Sequence, residues 1–90
     1  MSVMLITYDH GKTNRAVDPV PGIIKRYNHI QLSGSTYAIE TYEKTRTIFN
    51  KIMPCLGRGA HLLVVTLIKP FSGPVLTPAS EWFSKHLPEE

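Results

Sequence analysis

The chain has few cysteines, few aspartates and no long apolar run. Its single cysteine, Cys55, excludes a disulfide within the chain and suits a reducing cytosol. The longest apolar run is about eight residues, far short of the ~20 that a membrane helix needs. The first residues lack the basic stretch, apolar stretch and small-residue cleavage site of a signal peptide. We therefore expect a cytoplasmic protein with no membrane partner.

The charge balance is mildly basic. Ten Lys and Arg residues against seven acids give a net charge of +3 and an isoelectric point near 9.2. The basic residues are scattered, and no three are consecutive. This balance permits RNA or DNA as a partner and is equally typical of an ordinary solvated surface.

Ninety residues predict one domain over 1–90, with a core of about 1–68 and a C-terminal loop and helix over 69–90. Strands are predicted at 3–9, 29–32, 35–40 and 61–68, and helices at 20–27, 42–53 and 78–87. Asp18, Thr41 and Thr77 are the expected helix caps, and Ser33-Gly34 is the expected hairpin turn.

The order β-α-β-β-α-β in about 70 residues predicts a ferredoxin-like α/β (α+β) two-layer sandwich, followed by a C-terminal helix. The fourth strand is apolar on both faces, with Leu62 and Val64 on one and Leu63 and Val65 on the other. Two explanations account for a second apolar face: the C-terminal helix folds back onto it, or a second copy packs sheet to sheet. We favour the homodimer, because two-fold pairs are the commonest oligomers.

Three stretches of the chain resemble one known family. They are Met-Leu-Ile-Thr-Tyr-Asp at 4–9 with Lys12 in the loop after it, Leu-Ser-Gly-Ser-Thr-Tyr-Ala-Ile-Glu-Thr at 32–41, and Leu-Leu-Val-Val at 62–65. They resemble the SinR-like proteins, which belong with the small second adaptation subunit of CRISPR systems and the virulence-associated D ribonucleases. The resemblance spans about residues 1–68. It implies a ferredoxin-like fold and a homodimer.

The resemblance also implies a site. In the nuclease members, an aspartate that ends the first strand is contributed by two subunits to metal-dependent phosphodiester cleavage. By residue match, Asp9 would be the catalytic residue and the ligand of Mg²⁺ or Mn²⁺. Ser35 and Tyr37 would match the family's serine and aromatic pair, and Tyr8 and His10 flank Asp9 as candidate support. In the CRISPR members, the same fold can instead serve as a DNA-binding scaffold.

The residues themselves leave the role of Asp9 open. A magnesium site commonly uses one or two carboxylates, and Asp9 is the sole acid in the first seventeen residues. A metal site therefore requires a second Asp9 across a dimer axis. The alternative is that Asp9 accepts hydrogen bonds from the loop amides that follow it.

Basic residues near Asp9 offer a second kind of chemistry. Lys12 and Arg15 lie in the loop after Asp9, and Lys25 and Arg26 lie on the first predicted helix. Lys44, Arg46, Lys51 and Arg58 lie on or after the second helix. Such side chains hold phosphates without reading sequence. Two functions follow: a metal-dependent endonuclease for RNA or DNA, and a non-catalytic nucleic-acid-binding or protein-interaction scaffold.

Overall fold

Four strands and three helices make up the described part of the chain, which comprises residues 1–12, 18–69 and 77–88 of a computed structural model. In chain order they are β1 Ser2–Asp9, α1 Val20–Ile24, β2 Asn28–Ser33, β3 Thr36–Thr41, α2 Thr45–Ile52, β4 His61–Leu67 and α3 Thr77–His86. A 3-10 turn at Met53–Cys55 follows α2 directly. No helix of these ranges has the length and hydropathy that a membrane span requires.

Two helices are shorter than their patterns predict. The first ends at Ile24, because the chain turns there: the Tyr27 amide bonds to the Ile24 carbonyl, and β2 begins at Asn28. The second begins at Thr45 instead of residue 42, because Thr41 stays in β3 opposite Ser2. The Thr41 hydroxyl accepts the Glu43 amide at 3.0 Å in a local turn and does not cap α2.

The hairpin between β2 and β3 turns at Gly34 and Ser35. The expected turn at Ser33-Gly34 was wrong by one residue, because Ser33 still pairs with Thr36. The last helix begins at Thr77, one residue earlier than predicted.

The strands form one sheet in the order β2-β3-β1-β4, and every neighbouring pair is antiparallel. In the central strand β1, Thr7 lies opposite Thr36 and Asp9 lies opposite His61. The end of the sheet at which β1 finishes therefore also carries the hairpin and the start of β4. We call it the Asp9 end.

The first face of the sheet carries the larger core, and α1 and α2 cover it. Alternation along β1 directs its buried even-numbered side chains to this face. The buried members of the core are Met4, Ile6, Tyr8, Val20, Ile24, Tyr37, Ile39, Ile48 and Ile52.

The second face is partly covered by α3. Phe83 and Leu87 of this segment pack with Val3 and Ala38 of the sheet, and all four are buried. The fold-back of the C-terminal helix, one of the two explanations given above, is therefore present. Its cover is incomplete, because Leu63 and Val65 of β4 remain 55% and 37% exposed. The sheet-to-sheet homodimer stays a prediction.

Candidate functional site

Asp9 is an exposed residue at the end of β1. Its Oδ1 atom accepts a hydrogen bond from the Gly11 amide at 3.2 Å, which is the contact expected of a turn aspartate. Side chains alternate along the strand, so Asp9 lies on the second face, with His61 as its cross-strand neighbour. In the described ranges, no group of three or more His, Cys, Asp or Glu residues is placed to hold a metal ion.

Asp18, and not Asp9, is the carboxylate that contacts the neighbouring polar side chains. Its Oδ2 atom accepts the Tyr8 hydroxyl at 2.8 Å and lies 3.1 Å from His10 Nε2. Its Oδ1 atom accepts the Val20 amide at 2.9 Å, at the start of α1. Asp18 thus satisfies a helix-start amide as predicted, although the boundary residue itself is Pro19.

The two tyrosines of the site are held in their neutral form. Burial raises the pKa of the Tyr8 hydroxyl, and the hydrogen bond and negative charge of Asp18 raise it further. Burial, followed by the charge of Asp18, also raises the pKa of Tyr37. Both rings are almost fully enclosed in the core beneath α1 and α2. Their first role is therefore structural.

Three of the predicted supporting residues, Tyr8, His10 and Ser35, are joined through Tyr8. Tyr8 and His10 contact Asp18, and their rings also meet edge to face at 5.2 Å. Ser35 accepts the Tyr8 amide at 3.1 Å through its backbone carbonyl, which places it at the Asp9 end.

Lys12 and Arg58 form an isolated antiparallel bridge just beyond the end of β1. The Lys12 amide donates to the Arg58 carbonyl at 2.8 Å, and the Arg58 amide donates to the Lys12 carbonyl at 3.0 Å. Directly opposed residues in such a pair lie about 5.5 Å apart at Cα and project their side chains to the same side. The bridge therefore places the Cα atoms of two basic residues next to each other, with both side chains starting from the same side of the bridge.

The bridge depends on the glycine between Asp9 and Lys12. Gly11 has φ +64, and a Cβ there would lie 2.4 Å from the Arg58 carbonyl oxygen and 2.5 Å from the Ala60 nitrogen. Only glycine allows the two backbones to approach so closely. The Gly57 amide extends the junction by donating to the His10 carbonyl at 2.7 Å.

The paired cations have no acidic partner in the described ranges. Lys12 and Arg58 are both exposed, and neither forms a salt bridge with a residue of those ranges. Like charges that face each other across a pair of strands are unfavourable, and an anion between them would relieve the repulsion. The geometry therefore suits a phosphate group.

The other basic residues differ in their surroundings. Lys25 and Arg26 are exposed after α1. The next residue, Tyr27, contacts the α2 region, where its hydroxyl bonds to Glu43 at 2.5 Å and to Lys51 at 3.0 Å. Lys25 and Arg26 therefore lie in the turn between α1 and β2, and not in the bridge beyond β1. Arg15 lies outside the described residues.

No sequence pattern links Lys12 with Arg58, because the two residues are 46 positions apart. The residues around Arg58, Gly57-Arg58-Gly59, form a pattern that is typical of a helix stop. Gly59 has φ +76, so one of these glycines does serve the turn into β4.

Comparison of the chain with family models, with curated proteins and with solved structures finds no match. The resemblance to SinR-like proteins therefore stays a prediction.

Proposed function

We propose that the chain is a non-catalytic nucleic-acid-binding module that holds backbone phosphates between Lys12 and Arg58. The observation that carries this proposal is the antiparallel bridge that joins the backbones of these two exposed basic residues. The bridge holds the two Cα atoms in place before any ligand binds, so the backbone at this point does not have to be ordered on binding. Contacts to phosphates position a nucleic acid without reading its bases.

The proposal includes the ferredoxin-like arrangement and the relationship to SinR-like proteins. The antiparallel order β2-β3-β1-β4 and the shared core of α1 and α2 on one face support the arrangement. In the CRISPR members of the group that the chain resembles, this fold can serve as a DNA-binding scaffold. A binding role for this chain agrees with that resemblance. The mildly basic net charge of +3 agrees with a polyanionic partner.

A binding measurement with matched variants tests this function. Fluorescence anisotropy would compare a single-stranded RNA, a single-stranded DNA and a duplex DNA at low salt. We expect the double variant Lys12→Ala/Arg58→Ala to bind at least about tenfold more weakly, because two phosphate contacts are lost. Lys85→Ala, which removes an exposed lysine from α3, is the control and should change the affinity little. Equal affinity of the double variant and the wild type would reject the proposal.

A second candidate is a nuclease in which Asp9 from two copies holds Mg²⁺ or Mn²⁺. It is favoured by the exposure of Asp9, which makes one hydrogen bond, through Oδ1, to the described residues. This leaves carboxylate oxygen for a metal. Asp9→Asn should then abolish cleavage of labelled RNA or DNA in Mg²⁺ without changing the melting temperature. If the wild-type protein leaves both substrates intact in Mg²⁺ and in Mn²⁺, this candidate is rejected.

A further inference from the structure

β4 lies at one edge of the sheet, and its outer side has no pairing partner among residues 1–12, 18–69 and 77–88. The sheet order places it next to β1 alone, and no other described segment pairs with it. In an antiparallel pair, alternate residues of an edge strand direct their amide and carbonyl groups away from the sheet. A strand of seven residues therefore offers hydrogen-bonding groups on its outer side to another strand.

β4 also lacks the features that protect edge strands. Its sequence, His-Leu-Leu-Val-Val-Thr-Leu, contains no lysine, proline, glycine or acid. Its register with β1 is unbroken from Leu67 to His61. Natural edges are usually protected by charge, proline, bulges or a covering segment.

The opposite edge of the same sheet shows such protection. The register of β2 is irregular between Gln31 and Ser33. α3 lies against β2, and Trp82 Nε1 donates to Asn28 Oδ1 at 3.4 Å. Of the two edge strands, β2 is therefore irregular in register and packed against α3, whereas β4 is regular and apolar and pairs, among the described residues, with β1 alone.

The side chains beside the open edge are apolar on both faces. Leu63 and Val65 are the exposed pair on the second face. On the first face, Leu62 and Val64 border a groove that Phe49 of α2 also lines. A neighbouring strand would bury apolar surface on both sides of the sheet while its backbone bonds to the edge.

We infer that β4 pairs antiparallel with β4 of a second copy, around a two-fold axis at Val64. In this register, Leu63 of each copy lies opposite Val65 of the partner subunit on one face, and Val64 lies opposite its own symmetry mate on the other. The strand can pair with a second copy of itself without placing like charges opposite each other, because it contains no acid and no lysine. A two-fold pair of this kind closes on itself, so it ends at a dimer with one continuous eight-stranded sheet.

This dimer goes beyond the proposed binding function and has a consequence for Asp9. Asp9 lies level with His61, three residues from the axis, and three strand spacings would separate the two copies of β1. At ~4.8 Å per strand and ~3.4 Å per residue, the two Asp9 residues are about 25 Å apart. The edge dimer therefore holds no metal shared by both, whereas each Lys12–Arg58 pair remains intact.

Charge substitutions test the register. Sedimentation velocity at micromolar concentrations should show a dimer for the wild type and a shift toward monomer for Leu63→Lys and for Val65→Glu. The double variant should recover the dimer, because each new lysine would face a new glutamate of the other copy. Tyr42→Lys, at a position that is 82% exposed and follows β3 instead of lying in β4, is the control and should remain dimeric. A monomeric wild type would overturn the inference.

A cross-link distinguishes this edge pairing from a sheet-to-sheet dimer. Val64 points to the first face, which α1 and α2 cover. In a dimer that packs second face to second face, the two Val64 side chains would therefore point away from each other. In a Cys55→Ser background, Val64→Cys should be joined by a short thiol-reactive cross-linker within the dimer. A dimer that resists this cross-link overturns the edge pairing, whereas the phosphate-binding proposal has its own test in Lys12 and Arg58.

Discussion

The Tyr8 hydroxyl donates a 2.8 Å hydrogen bond to the Asp18 carboxylate, and this contact ties the end of β1 to the start of α1. Asp18→Ala would leave the enclosed Tyr8 hydroxyl and the Val20 amide without their acceptor. We expect a loss of about 1–2 kcal/mol in the free energy of unfolding, because a helix-start acceptor is lost and a partly buried donor loses its partner. Chemical denaturation followed by circular dichroism measures it.

Asp9→Ala is the matched comparison, since it removes the other aspartate of the chain. The Asp9 contact to Gly11 is exposed, so we expect a loss below about 1 kcal/mol. A larger loss for Asp9→Ala than for Asp18→Ala would show that Asp9 organises this end of the sheet.

The three glycines Gly11, Gly59 and Gly34 should differ in a fixed order when each is changed to alanine. Gly11→Ala should be the most damaging, because its Cβ would collide with the backbone of Arg58 and Ala60 at positive φ. Gly59→Ala has open space and only the positive-φ cost of about 1–2 kcal/mol. Gly34→Ala meets nothing within 4 Å and has no positive φ, so it should be nearly neutral. Melting temperatures would establish the order, and a neutral Gly11→Ala would argue against the bridge.

Phe83 should contribute strongly to stability if α3 covers the second face as described. It is 6% exposed and packs with Val3 and Ala38. Phe83→Ala should cost about 3–5 kcal/mol, the usual range for a buried phenylalanine. Tyr42→Ala, at an 82% exposed position, is the control and should cost little. Equal melting temperatures for the two variants would mean that α3 does not hold this position in solution.

Alkaline pH should destabilise the fold, and Tyr8 should be one cause. The pKa of Tyr8 is raised in the folded state above its ordinary value of 10.0, mainly by burial. The unfolded chain therefore loses this proton first. The stabilisation is fully present below about pH 10 and is lost as the pH rises toward the folded pKa. Between pH 8 and 11, the free energy of unfolding should fall less for Tyr8→Phe than for the wild type. If it falls equally with pH in both proteins, Tyr8 is not a cause of the alkaline destabilisation.

Local sequence signals predicted β4 well. The apolar run that follows the glycines at 57 and 59 predicted a strand over 61–68, and β4 is His61–Leu67. Helix boundaries were less accurate, because the chain uses Lys25 to Tyr27 and Tyr42 to Lys44 for turns that the periodic pattern overlaps. Thr41 shows the cause: the same residue suits a cap and a strand, and its pairing with Ser2 decides in favour of the strand.

The candidate site was less predictable because its contacts are distant in sequence. Asp18 was assigned as a helix cap from its neighbours, but its contact with Tyr8 depends on α1 lying over β1. The bridge between Lys12 and Arg58 depends on how β1 and β4 pair beneath it. Neither contact has a local pattern, whereas the turn role of Asp9 could be anticipated from the residues that follow it.

The salt dependence of nucleic-acid binding tests the central proposal most directly. On duplex DNA, the logarithm of the affinity falls by about 0.9 per phosphate contact for each tenfold rise in salt. We would therefore plot the logarithm of the affinity against the logarithm of the salt concentration. The slope for Lys12→Ala/Arg58→Ala should be shallower than that of the wild type by the amount that corresponds to about two phosphate contacts. The Lys85→Ala control should keep the wild-type slope. Equal slopes for the wild type and the double variant, or a wild type that does not bind at low salt, would contradict the account.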